Sequence, residues 1–453
     1  MIPSKETPVA RKIYVDASHT SSNRLNGGVQ RVVRNICELT NGTENCAEAK
    51  TISVKDLSFW VTDLKREAVT TERVHLIRAN AVESMPRAYK GTAQLLCNML
   101  PISHLRRWLL PKPGHLGIFK LPLKVYETWQ SRGTRRQEAL PGDGDVLLLP
   151  DAYWARSQVW PAVEAAKARG AKIAVVVYDM IPLTHPHFVS AKAVEPFRKY
   201  LQDVAKHADM VVAISDTVRQ QVESLFRQPG FSSNCNHFSS FELGAEFQVA
   251  EGVVRDQLRD LFRQPGAIAP HLMVATFDPR KNHHYALDAF ERVWETRPDV
   301  KFCLIGRVGW LCEDVIARVR SHARLGKQLF AFHDVNDAEL YHCYQRARSV
   351  VMPSIVEGFG LPIVEALWHG RQVFASNTPI HREVGRNECI YFDLAQPGSL
   401  AEKLLDWESQ QGADSPYRNS TYRPVSWDES VQGLVAQCVM TLFPTADRKR
   451  RAA

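Results

Sequence analysis

Residues 349–370 read SVVMPSIVEGFGLPIVEALWHG. Val350, Val351 and Met352 make a short buried strand, Glu357 to Gly360 a glycine-containing turn, and the residues from Leu361 onward a helix that Pro362 opens at its first position. So small a turn before a helix N-terminus aims unpaired backbone N–H groups at one spot, which suits an anion such as a phosphate. Two carboxylates flank it, Glu357 in the turn and Glu365 in the early helix.

On either side the chain alternates strands and helices. Residues 272–276 (LMVAT), 301–305 (KFCLI), 331–333, 372–375 and 389–392 continue the series of strands, with a helix over 285–295. Upstream, 12–15 (KIYV), 145–149 (DVLLL), 172–177 (KIAVVV) and 210–214 (MVVAI) are strands, and 29–39 and 159–169 are helices. Continuous apolar strands separated by helices predict parallel sheets covered on both faces. The fold class is therefore α/β, with two Rossmann-like domains facing a cleft. The 453 residues suit two domains: 1–262, then 263–424, then a helix over 429–442 within a crossing segment, 425–453, that ends in a basic tail. The hexapeptide LFRQPG occurs at 225–230 and at 261–266, and its second copy marks the linker.

Hydrophobic residues at 45% and charged ones at 23% are those of a soluble globular protein. The N-terminus lacks an apolar signal region and no run reaches the roughly 20 apolar residues of a membrane span, so a cytoplasmic location is expected. Nine scattered cysteines, without a CxxC pair or zinc spacing, predict reduced thiols and no metal site. The net charge of +8 directs attention to an anionic substrate or a membrane face, and away from nucleic acid for want of a recognised module. Much of the positive charge falls in an insertion at about 51–140. Between Pro101 and Arg136 bulky apolar residues mix with Arg and Lys, and only Glu127 is acidic. That segment reads either as interfacial, touching a membrane, or as an insertion packed on the first domain with a solvated basic face.

Ligands of such sheets sit beyond the carboxyl ends of the strands. There FDPRKN (277–282) offers Arg280 and Lys281, a fork and a point charge that can neutralise a diphosphate. The amides near Phe359, Gly360 and Leu361 can hold the same group, Glu365 can bridge the adjacent hydroxyls of a ribose, and Glu357 can accept from a sugar's hydroxyls. The plainer readings are two exposed cations, a carboxylate complementing a helix dipole and a solvated turn residue. Gly27 and Gly28, between the first strand and helix, either let backbone approach a phosphate or simply connect the two elements. Asp179, directly after a buried strand, faces the cleft or caps the turn before Pro182. His185 and His187 are more ordinary loop histidines.

Glu357 and Glu365 match the E-x7-E motif, and EGFGLPIVEA with ASNTPIHREVG (375–385) resembles the retaining glycosyltransferases of family 4, which have the GT-B fold. NGGVQRVVRN (26–35), YDMIPLTHP (178–186), ISDTVRQQV (214–222), LGAEF (243–247), DPRKN and LIGR (304–307) extend the resemblance over nearly the whole chain except about 51–140. It implies a nucleotide-diphosphate-sugar donor and a glycan acceptor, lipid-linked if the likeness of NGGVQRVVRNI to surface-polysaccharide enzymes holds. It implies no metal and no cofactor. Gly28 would approach the diphosphate, Arg280 and Lys281 would bind it, and Glu365 would hold the ribose. Glu357, with the amides of Phe359 and Gly360, would meet the transferred sugar and Val335 the base, while the final helix would return to the first domain. Many relatives carry a histidine where Tyr178 stands; here Tyr178 or His185 substitutes, or the contact is lost. The rival classes are a catalytically silent GT-B protein, against which the cation pair argues, and a dinucleotide oxidoreductase, whose GxGxxG fingerprint is missing.

Overall fold

The computed structural model describes residues 10–21, 27–55, 57–62, 137–154, 158–228, 231, 233–246, 252–263, 268–396, 398–410 and 422–444. The basic apolar stretch 101–136 lies outside them.

The first part of the chain runs β1 (Ile13–Asp16), α1 (Gly28–Leu39), β2 (Ala49–Lys55), β3 (Ser58–Val61), β4 (Glu138–Ala139), β5 (Val146–Leu149), α2 (Val159–Ala168) and β6 (Lys172–Val177). It goes on through α3 (Ile181–Thr184), α4 (Ala191–His207), β7 (Met210–Ala213), α5 (Asp216–Phe226), β8 (His237–Ser240) and α6 (Asp256–Arg263). The strands form one eight-stranded sheet in the order β4-β3-β2-β1-β5-β6-β7-β8. From β2 to β8 across this order every pairing is parallel, as continuous apolar runs such as VLLL and KIAVVV predict. The edge departs from that expectation, because β3 is antiparallel to both β2 and β4. Only two residues join β2 to β3, one of them Leu57 at φ 63, and so tight a link can join only antiparallel strands.

The second part runs β9 (His271–Val274), α7 (His283–Thr296), β10 (Phe302–Ile305), α8 (Glu313–Arg320), β11 (Leu329–Phe332), α9 (Asp337–Arg346), β12 (Ser349–Met352) and α10 (Leu361–Trp368). It closes with β13 (Gln372–Ser376), α11 (Pro379–Gly385), β14 (Cys389–Phe392) and α12 (Ser399–Gln410). This sheet has six strands, ordered β11-β10-β9-β12-β13-β14 and parallel throughout. Val350, Val351 and Met352 are fully buried at its centre; each such side chain stabilises the fold by roughly 1.5–3 kcal/mol.

A final helix, α13 (Trp427–Leu442), leaves the second sheet and packs on α1 and β7 of the first. Ser426 and Glu429 cap it reciprocally, Ser426 N–H donating to Glu429 at 2.8 Å and Glu429 N–H to Ser426 Oγ at 3.2 Å. Its apolar face, Val431, Leu434, Val435, Cys438 and Val439, is buried. Gly244 lies so close to Trp427 that a Cβ would overlap the indole.

The decisive turn differs from expectation by one residue. Helix α10 begins at Leu361, with Pro362 second, because Gly360 takes the N-cap position at φ +102, a left-handed conformation that glycine adopts without strain.

Candidate active site

After β9 the chain makes one 3-10 turn at Pro279–Lys281, ended by Asn282 in the left-handed region. Ile355 N–H donates to the Arg280 carbonyl at 2.8 Å, tying this turn to the loop after β12. The two cations of the first loop thereby meet the acid of the second. Arg280 Nη1 lies 2.7 Å from Glu357 Oε2, and Lys281 Nζ donates to Glu357 Oε1. Asp278 stands behind Arg280, at 3.4 Å. All three side chains of the triad are nearly buried. Burial works to raise the Glu357 carboxyl, but the fields of Lys281 and Arg280 outweigh it and hold it down to about 2. Lys281 moves below its ordinary value, through burial and then the neighbouring guanidinium. The sequence assigned the cations to a diphosphate and Glu357 to a sugar; the fold makes them one ion cluster.

The turn itself is pressed against the first sheet. A Cβ on Gly358 would overlap the Tyr178 carbonyl oxygen, so only glycine fits the approach. Ser215 Oγ donates to the Gly358 carbonyl at 2.8 Å. Asp179 sits beside this junction and caps α3 by accepting from Ile181 N–H at 3.0 Å. Burial lifts its carboxyl above the usual range, against the pull of that N–H and of Arg280. Tyr178 is buried, and its hydroxyl donates to the Pro150 carbonyl at 2.5 Å. His185 packs on Phe188, with Nδ1 2.9 Å from Thr184 Oγ1.

Phe359 is buried, and Leu361 faces Gly28, whose Cβ would lie 3.6 Å from Leu361 Cδ1. Gly27, the N-cap of α1, offers no side chain there. The N-termini of α1 and α10 therefore converge, and their unpaired N–H groups and positive dipole ends favour an anion between them. Glu365, one turn into α10, has a protein partner on each oxygen. Arg31 of α1 pairs with Oε1, and the Tyr344 hydroxyl donates to Oε2 at 2.7 Å. Val335 is half-buried just before the capping box of α9.

Sequence reasoning missed several groups. Arg31 follows Gly28 by three residues, and its facing carboxylate was out of sight. His381, in the quoted ASNTPIHREVG, is fully buried; its Nδ1 lies 3.1 Å from the Ser376 carbonyl, and its ring lies beside Gly360. Its Nε2 has no hydrogen-bond partner among the described residues, and burial holds the imidazole down to about 4. At the ends of β1 and β5, Asp16 and Asp151 clasp the loop that leads toward Gly27. Asp16 accepts from Ser18 Oγ and Tyr153 Oη at 2.6 Å each. Asp151 accepts from His19 N–H at 2.7 Å and Thr20 N–H at 2.8 Å. Burial lifts the Asp16 carboxyl to about 7. An acid directly after a buried strand, as in YVD and LLLPD, was the available signal.

The two sheets are also joined around the site. Glu383 of α11 accepts from Asp216 N–H at 2.6 Å, Thr217 N–H at 2.9 Å and Thr217 Oγ1 at 2.5 Å, capping a helix of the other half. Trp310 Nε1 donates to the Phe188 carbonyl at 2.8 Å, and Arg386 pairs with Glu242 at 2.9 Å.

Comparison with known proteins agrees with this architecture. Residues 270–423 match the family Glycosyl transferases group 1. The chain is 27% identical over 300 residues to the serotype-specific mannosyltransferase WbdA of Escherichia coli, covering 64% of this chain and 36% of that one. It is 29% identical over 229 residues to O-antigen chain mannosyltransferase B of the same species, covering 50% and 59% respectively. The chain thus spans about a third of the length of the WbdA relatives it matches. The structure of Anabaena Alr3699/HepE in complex with UDP and glucose aligns over 98% of this chain and all of that one, at 12% identity and a TM-score of 0.51. The fold is GT-B, two parallel-sheet halves about a cleft.

Proposed function

We propose that this chain is a retaining glycosyltransferase of the family 4 type, moving a sugar from a nucleotide-diphosphate donor to an acceptor hydroxyl. The observation that carries the reading is the Arg280–Glu357–Lys281 cluster at the edge of a turn where two helix N-termini converge. The diphosphate lies between Gly28 and the amides of Phe359 to Leu361, drawing the guanidinium and ammonium toward it. As the bond from the anomeric carbon to the phosphate oxygen breaks, Arg280 and Lys281 neutralise the charge left behind. The acceptor oxygen bonds that carbon on the same face, and its proton passes to the departing phosphate oxygen. Glu357, kept ionised, holds the sugar's hydroxyls and Glu365 the ribose, aligned by Arg31 and Tyr344. Val335 borders the base. With two cations and convergent amides to stabilise the leaving group, the reaction needs neither divalent metal nor cofactor.

The O-antigen mannosyltransferase relatives support a mannosyl donor and a role in bacterial surface-glycan synthesis. The acceptor is then lipid-linked, and the enzyme works in the cytoplasm, peripherally at the inner membrane face. No helix among the described residues is long and apolar enough to cross a membrane. Vesicle co-sedimentation with and without residues 101–136 tests that placement, and equal binding by both forms removes it. For the reaction, nucleotide release is measured with UDP-, GDP- and dTDP-sugars in the presence of EDTA. One donor should be turned over with EDTA present, and Lys281→Ala should cut turnover about 10²- to 10³-fold. Binding without release by the wild type indicates a silent sugar-nucleotide binder and overturns the proposal.

A further inference from the structure

A cavity of about 620 Å³ lies beside the site and shares none of its proposed donor ligands. Its wall is helix α5, which buries Val218, Val222 and Phe226 on one side and turns Thr217, Gln221 and Ser224 to the cavity on the other, with Gln228 lining it just beyond the C-terminus of the helix. Those positions recur every three or four residues, so they form one stripe along the helix. Met180, Leu183 and Leu225 supply apolar floor, and Arg198 is the one formal charge among the lining residues. The volume is that of a small-molecule site.

The composition of this wall identifies an occupant. Exposed helix faces are normally laced with charge, whereas this one carries amides and hydroxyls over an apolar floor. Amides donate and accept together, which suits the paired donor and acceptor character of neutral hydroxyls, and the floor suits the C–H face of a sugar ring. The cavity also has a direction. One end is Thr217 with Pro379 of the other half, next to Met180, which follows Asp179 at the junction with Gly358. From Thr217 to Phe226 the helix rises about 14 Å, enough for more than one hexose unit.

The geometry points to a binding track for a neutral oligosaccharide, the part of the acceptor glycan that trails behind the reacting sugar. It rests on the glycosyltransferase reading for the word acceptor; the binding itself does not. The test is calorimetric titration of the whole protein with mannose and with manno-, malto- and chito-tetraose. At least one tetrasaccharide should bind tighter than its monosaccharide. Gln221→Ala with Gln228→Ala should weaken it about fivefold per amide removed. Ser224 is exposed, so Ser224→Arg leaves the fold intact while filling the track, and it should abolish the length dependence. Absence of tetrasaccharide binding, or binding that all three substitutions leave unchanged, overturns the inference. Nucleotide release from the donor panel is read separately: glycan binding without release keeps the track and sinks the transferase, and release without glycan binding does the reverse.

Discussion

Glu357 balances two buried cations in the fold, besides the sugar contact proposed for it. Paired with Arg280 and Lys281, it lets two cations be buried beside the turn proposed to take the diphosphate. Glu357→Gln keeps the shape and removes the charge, leaving Lys281 without its carboxylate and Arg280 with Asp278 alone. It should lower stability by about 3 kcal/mol in denaturant titration and reduce kcat together with it. Asp16 gives a prediction in pH. Its folded value, about 7, lies above the ordinary carboxylate value, so the folded state binds the extra proton. Its contribution is therefore complete at low pH and is lost as pH rises through about 7. The melting temperature should fall between about pH 4 and 7, and Asp16→Asn should flatten that part of the profile; an unchanged slope would assign it to other groups. The residues nearest the motif were legible because strand ends and glycine turns fix where a side chain emerges. Arg31, His381 and Asp16 were not, because their meaning lies in partners supplied by other elements.

At the scale of elements, the turn from β12 into α10 owes its shape to two glycines with different requirements. Gly358 is required by the Tyr178 carbonyl of the other half. Gly358→Ala should therefore raise the donor KM by an order of magnitude or more through separation of the halves, with little effect on the unfolding of the second half; an unchanged KM would mean that the junction yields. Gly360→Ala, at φ +102, should cost about 1–2 kcal/mol of stability in the same denaturant assay. The parallel strands could be read from sequence because full burial on both faces writes a continuous apolar run, as in VLLL. The antiparallel edge at β3 and β4 could not, because each strand fully buries only one side chain, Phe59 and Ala139, and β4 is two residues long.

At the scale of the whole molecule, the halves are held by polar contacts between residues far apart in sequence. Glu383 and Thr217 are separated by 166 positions, and no local pattern announces such a pair. Glu383→Ala removes the acceptor of the first two N–H groups of α5, leaving Ser215 as its N-cap, and should loosen the halves, detectable as a larger radius of gyration in small-angle scattering and a loss of about 0.5–2 kcal/mol; an unchanged radius would leave the remaining contacts sufficient. The return of α13 to the first sheet also orders events at the ribosome. Its buried face covers α1 and β7, yet it is made only after the entire second sheet has been synthesised. At 5–20 residues per second the nascent first half waits on the order of ten seconds or more with that apolar groove uncovered. During vectorial synthesis the half that emerges first is thus the half that matures last, and the groove is where a holding chaperone would be wanted.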